Sequence, residues 1–231
     1  MIRESVPLPA AVLWDMDGTL IDTEPYWMAE ETELIARAGG TWTHEDAVEL
    51  VGNSLIRSAE IILARTPVTG TPEEIVDVLL SGVVARTRAC MPWRPGAREL
   101  LEECAGLGVP NALVTMSWAP LADVLLEGLP EGTFSAVVTG DQVAHGKPSP
   151  DPYLLAAERL GVAPADCLAL EDSPTGVRSA TAAGVPTVGI PHVVPIPPTT
   201  GMVTVAGLEG LALRDLMALT GQLRVDRAAG R

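Results

Sequence analysis

Two aspartates stand two residues apart in Trp14-Asp15-Met16-Asp17-Gly18-Thr19, directly after the apolar run 10–14. In an extended chain, positions i and i+2 face the same way, so both carboxylates can enter one small volume. Two anions held that close repel and require a cation. A second acidic pair, Glu171-Asp172, follows the apolar run 167–170. A third run, 111–114, is closed by Thr115, whose hydroxyl, with the backbone N–H groups of the following Met116 and Ser117, would emerge at the same place. Lys147, the only lysine in the chain, lies in Gly146-Lys147-Pro148-Ser149-Pro150, a constrained loop just before a helical pattern.

Each of these groups has a plain alternative reading. Asp-Gly is turn chemistry, a strand-end Thr bonds its own turn, and acidic pairs or single lysines usually decorate a surface. Together they are harder to dismiss, because three apolar runs deliver Asp/Asp, Thr and Glu/Asp with a lysine in an adjoining loop. Carboxylate oxygens suit Mg2+, which keeps waters and shares phosphate oxygens, whereas a Thr hydroxyl, backbone N–H groups and Lys suit the phosphate. The residues therefore point to a site for magnesium and phosphate.

Such a site requires the runs to end on one edge. Runs 10–14, 111–114, 136–138, 167–170 and 187–190 read as buried strands, and helical patterns at 95–105, 120–127, 151–160 and 174–183 lie between most of them. This alternation predicts an α/β fold with a Rossmann-like parallel sheet covered on both faces, where ligands gather at the carboxyl ends of the strands. A last unit follows, with a strand over 202–205 and a helix over 209–219, and residues 221–231 read as a frayed tail. The stretch 25–89 contains no convincing strand, but shows helical spacing at 28–38, 45–51, 55–64 and 73–84. We therefore expect a core domain from 1–24 and 90–231, interrupted by a four-helix insertion over 25–89 that can lid a site.

Composition narrows the partners. The 231 residues exceed a typical domain of about 150. A content of 47% hydrophobic and 19% charged residues is too apolar for disorder. With 15 Lys+Arg against 30 Asp+Glu, the net charge of -15 disfavours nucleic acid as a partner. The long uncharged stretch 185–208 carries prolines at 186, 191, 195, 197 and 198, which prevent a membrane-spanning helix. Cys90, Cys104 and Cys167 read as reduced, packed thiols, and no signal peptide is apparent, so a cytosolic protein is expected. The sequence sets no oligomeric state. Gly146-Lys147-Pro148 lacks the Ser/Thr and spacing of a P-loop, and Gly106-Leu107-Gly108 lacks the third glycine of a dinucleotide fingerprint. His44-Glu45 has no second His four residues on, and His145 reads as a surface residue.

Asp15-Met16-Asp17-Gly18-Thr19, Thr115, Lys147 and Glu171-Asp172, in this order, resemble the four motifs of the haloacid dehalogenase (HAD) superfamily. The resemblance covers essentially the whole chain, and the helical insertion is similar to the α-helical cap of the β-phosphoglucomutase-like branch. It implies a Mg2+-dependent phosphatase acting on a small phosphorylated metabolite, a sugar phosphate or a phosphoglycolate-like compound, through an aspartyl-phosphate. Asp15 would be the nucleophile and Asp17 the general acid and base, with Thr115, the Met116 backbone and Lys147 on the phosphoryl group. Mg2+ would be held by the Asp15 carboxylate, the Asp17 carbonyl and Asp172, with Glu171 direct or through water. Met116 departs from the Asn often found in this branch.

Within the family, Asp17 argues against a dehalogenase. A sugar phosphomutase of the β-phosphoglucomutase kind is the alternative. Its His falls on Trp27, and Gly52-Asn53-Ser54-Leu55 lacks the Arg of its Gly-x-Ser-Arg run, although Arg57 is nearby. A noncatalytic phosphate-binding protein or a receiver-like signalling domain is the alternative of another class, disfavoured by motif order. Substrate choice is expected to rest on cap positions Glu24, Trp27, Asn53, Ser54 and Arg57.

Overall fold

The computed structural model describes residues 6–229. Its strands are β1 (Val12–Trp14), β2 (Asn111–Val114), β3 (Ala136–Val138), β4 (Leu168–Glu171), β5 (Thr187–Gly189) and β6 (Met202–Thr204). They form one sheet in the order β3-β2-β1-β4-β5-β6, with every pairing parallel. β1 is central: the chain builds outward through β2 and β3, then returns to place β4 on the other side of β1. This reversal opens a crevice at the carboxyl ends of the central strands. The α/β, parallel-sheet expectation is met, with β2 and β3 at the expected bounds and the other strands within two residues of theirs. β4 begins one residue late and takes in Glu171.

Alternating strand residues build two different layers. Val12, Trp14, Leu113, Leu168, Leu170 and Val188 pack with α5 (Ala97–Gly106), α6 (Ala119–Glu127) and α9 (Leu213–Ala229). The other face presents smaller residues, Ala11, Ala112, Ala136 and Ala169 with Leu13 and Val114, to α7 (Asp151–Leu160) and α8 (Pro174–Ala182). Trp14 is fully buried, and its indole N–H donates to Asn111 Oδ1 at 2.8 Å, so its one polar atom is satisfied.

The last helix differs from the sequence reading. It starts at Leu213, where Leu213, Leu216, Met217 and Thr220 form a buried stripe at helical spacing and Glu103 Oε2 accepts from the Leu213 N–H at 2.9 Å. It continues to Ala229, so residues 221–229, expected as a frayed tail, are helical; Gly221 does not stop it and no proline follows. Residues 230–231 lie outside the described residues.

Between β1 and β2 lie α1 (Glu24–Arg37), α2 (His44–Val48), α3 (Leu55–Arg65) and α4 (Pro72–Ala89). Thr43 and Thr71 start α2 and α4 with reciprocal capping boxes to Asp46 and Glu74. These helices bury a cluster of their own, including Ile35, Leu50, Ala59, Ile62, Ile75, Val76 and Leu79. The next turn of α4 turns Leu80 and Val83 into the core cluster, where α4 packs on α6. Among the described residues no helix is long and apolar enough to cross a membrane. Cys104 and Cys167 are packed, as expected, whereas Cys90 is exposed, contrary to expectation.

Candidate active site

Asp15 prolongs β1 by one peptide, its N–H donating to Leu170 O of β4 at 3.0 Å. Thr115 prolongs β2, its N–H donating to Val138 O of β3 at 2.9 Å. Glu171 closes β4, and its carbonyl accepts from the Ile190 N–H at 2.7 Å. The main chain thus fixes all three at one sheet edge before any side chain contributes.

Lys147 reaches this edge from the loop before α7. Its ammonium lies 2.6 Å from Asp15 Oδ1 and 2.6 Å from Glu171 Oε1, with its side chain only 5% exposed. Burial works against its charge, but the two carboxylates outweigh that and hold it above the ordinary lysine range. The buried Tyr153 hydroxyl, one turn into α7, donates to the same Glu171 oxygen at 2.6 Å. Glu171 therefore spends Oε1 on orienting Lys147, and a Cβ at residue 176 would overlap its carboxylate, which explains Gly176.

Asp17 is held differently. Thr115 Oγ1 donates to its Oδ2 at 3.1 Å, Ser117 Oγ donates to the same oxygen at 2.8 Å, and Thr23 Oγ1 donates to Oδ1. Ser117 N–H in turn donates to Thr115 Oγ1 at 2.9 Å. Burial raises the Asp17 pKa, the Thr23 hydrogen bond opposes it, and the Asp15 charge adds to it. Ser117, Thr23 and Tyr153 were not singled out from sequence as site residues. Their only signals are offsets: Ser117 two after Thr115, Thr23 six after Asp17, and Tyr153 six after Lys147.

Asp15, Glu171 and Asp172 bring carboxylate oxygens within 4.8 Å of one another. Asp15 Oδ2 is buried and without a hydrogen-bond partner. Burial raises the Asp172 pKa well above its usual range, and the Asp15 and Glu171 charges push the same way. Gly18, at φ +84°, leaves room for Asp172, whose carboxylate a Cβ there would overlap. Hard oxygen donors from three buried carboxylates, crowded where anions repel, fit a divalent cation. The Asp17 carboxylate lies outside this set and is taken up by hydroxyls, leaving only its main-chain carbonyl for the metal role that the resemblance implies.

The site opens into a cleft beneath the inserted helices. Of the expected substrate positions, Glu24, Trp27 and Asn53 line it, as does Met116, whose Sδ accepts from the Lys147 N–H at 3.2 Å. Ser54 and Arg57 do not. Ser54 caps α3, accepting from the Arg57 N–H at 3.3 Å, and Arg57 points outward to Glu60 at 3.0 Å. Glu31, unremarked in the sequence, also lines the cleft. Trp118 packs against both the core cluster and that of the inserted helices, and exposed His145 pairs with Asp151 at 3.0 Å.

A family model described as haloacid dehalogenase-like hydrolase matches residues 9–184. Protein CbbY of Cupriavidus necator is 32% identical over 198 residues, covering 78% of each chain. Fructose-1-phosphate phosphatase YqaB of Escherichia coli is 31% identical over 182 residues, covering 78% of this chain and 96% of that protein. Among solved structures, CbbY from Rhodobacter sphaeroides in complex with phosphate has a TM-score of 0.82 at 29% identity, covering 90% of this chain and 99% of that one. Sequence, sheet order and the acidic strand-end site agree, and the chain belongs to the haloacid dehalogenase-like hydrolases.

Proposed function

We propose that the protein is a Mg2+-dependent phosphatase of a small phosphorylated metabolite, working through an aspartyl-phosphate on Asp15. The observation that carries this is the split environment of Asp15: Lys147 binds Oδ1, while buried Oδ2 has no hydrogen-bond partner and the residue faces the cleft. Oδ2 is then the atom that attacks phosphorus. As the bond from phosphorus to the leaving oxygen breaks, Asp17 gives that oxygen its proton. Its raised pKa favours carrying one, and the hydroxyls of Thr23, Thr115 and Ser117 hold the carboxyl in place. In the second half, Asp17 takes a proton from water, which attacks phosphorus and frees Asp15 and inorganic phosphate. Lys147 and Thr115, with the Met116 backbone, stand where the phosphoryl oxygens would lie. Mg2+ held by Asp15, Asp172 and the Asp17 carbonyl, with Glu171 beside them, would supply the positive charge that neutralises those oxygens.

Residues 25–89 are the cap in this reading, covering the cleft in which the leaving group sits. The mutase alternative loses support, because Trp27 occupies the expected His position and Arg57 faces Glu60 instead of the cleft. Relatives named for fructose-1-phosphate and hexitol substrates support a sugar or polyol phosphate here, with phosphoglycolate second. The test is phosphate release from a panel of such compounds by wild type and Asp15→Asn, each with Mg2+ or EDTA. Release that needs both Asp15 and Mg2+ is expected; Mg2+-dependent release by a folded Asp15→Asn would overturn the mechanism.

A further inference from the structure

The cleft continues from Asp15 Oδ2, where phosphorus would be attacked, to a far wall built by the inserted helices. Among the described residues its charged lining is one-sided: Lys147 is the single cation, already engaged by Asp15 and Glu171, and the rest are the carboxyls of Asp15, Asp17, Glu24, Glu31 and Asp172. Away from the strand ends the lining combines apolar side chains such as Trp27 and Leu50 with Glu31, Asn53 and Ser58, while Glu24 lies nearer the strand-end carboxylates; burial and then their charges push its pKa up. The guanidinium that might have reached it, on Arg57, turns to Glu60 on the outside. Glu31 is 5% exposed and keeps one oxygen on the Trp42 indole N–H at 3.2 Å.

Resting on the phosphatase reading, we propose that this cap wall selects monophosphates whose leaving group is an uncharged polyhydroxy compound, and rejects substrates with a second phosphate or a carboxylate at the remote end. A remote anion entering here would leave water for an apolar wall with no free cation to receive it. The carboxyls do not help it in either protonation state. Ionised, Glu24 and Glu31 repel it; protonated, each offers one donor and no positive charge. Hydroxyl groups fit both states, since they donate to a carboxylate and accept from a carboxylic acid, and carbon faces of a polyol suit Trp27 and Leu50. Rejection by an uncompensated charge is also a cheaper route to specificity than extra attractive contacts.

The experiment compares kcat/KM for three compounds of one carbon length: a hexose or hexitol monophosphate, the hexose bisphosphate, and the phosphorylated aldonic acid. The uncharged leaving group is expected to be favoured about a hundredfold over both anionic ones, the scale of an uncompensated charge in a partly desolvated site. A ratio below about tenfold overturns the selection while leaving the phosphatase intact. Release from phosphoglycolate but from none of the three overturns this inference and leaves the phosphatase intact, whereas release from no compound of the panel overturns both. A second arm places a cation on the wall: Ser58→Arg, on the inserted helix Leu55–Arg65, is expected to raise bisphosphate turnover relative to monophosphate about tenfold or more, mainly through KM. An unchanged ratio in a folded Ser58→Arg counts against the proposal, and if that variant does not fold, the wild-type ratio decides alone.

Discussion

Lys147 is the one lysine among 15 basic residues, and its position explains the choice. A compact ammonium with three donors can sit between Asp15 Oδ1 and Glu171 Oε1 at 2.6 Å each, where the planar fork of an arginine would not fit both. Lys147→Met leaves two buried carboxylates without their cation, and is expected to lower stability by about 3–5 kcal/mol in denaturant titration and to abolish phosphate release. Lys147→Arg should not restore release. Glu31 makes a pH prediction. Burial pushes its pKa up to about 7 from 4.5, against the opposing hydrogen bond from Trp42. The folded state therefore keeps a proton that the unfolded state gives up, so the stability Glu31 contributes is present below about pH 4.5 and is lost as pH rises through about 7. Glu31→Gln is expected to be more stable than wild type by about 1–3 kcal/mol at alkaline pH and equal to it in acid, measured as unfolding midpoints across pH. Asp15, Asp17 and Asp172 were legible in the sequence as candidate groups because charges delivered by apolar runs are rare, and Lys147 because it is the only lysine. Glu31 was not, since on a helix a glutamate reads as solvated face.

Among the elements, the turn from β1 into α1 is the most constrained. Gly18 stands at φ +84°, and a Cβ there would meet the Asp172 carboxylate. Gly18→Ala is expected to fold with a loss of about 1 kcal/mol or more and to lose phosphate release, because Asp172 must move. α4 joins the two parts of the molecule: Val76 and Leu79 pack in the cap cluster, Leu80 and Val83 in the core cluster. Leu80→Ala should cost about 2–5 kcal/mol in thermal or denaturant unfolding. The sequence placed every strand to within two residues, since short apolar runs closed by turn residues leave little freedom. It cut α4 at residue 84, while the helix runs to Ala89 with Thr87 buried, because arginines at 86 and 88 mask the inward face. It ended the last helix near 219, because propensity at a glycine is weaker than the packing that launches the helix from Leu213.

For the whole molecule, cation binding should appear in stability as well as in turnover. Asp15, Glu171 and Asp172 repel one another in a buried cluster. Mg2+ that binds only the folded form stabilises it by mass action, about 2.7 kcal/mol at a hundred times the dissociation constant. Added Mg2+ is expected to raise the unfolding midpoint of wild type and leave that of Asp172→Asn nearly unchanged, and EDTA should end phosphate release by wild type. The sequence by itself determined the sheet, the early helical insertion and the list of groups at the strand ends, because strand periodicity and strand-end placement are local properties of the chain. Only the tertiary structure decided which groups share a proton or a cation. Thr23 and Ser117 meet at Asp17, Tyr153 stands behind Lys147, Glu31 enters the cleft and Arg57 leaves it. Those meetings join residues far apart in the chain, or turn on which side of one short helix faces inward, and packing settles both.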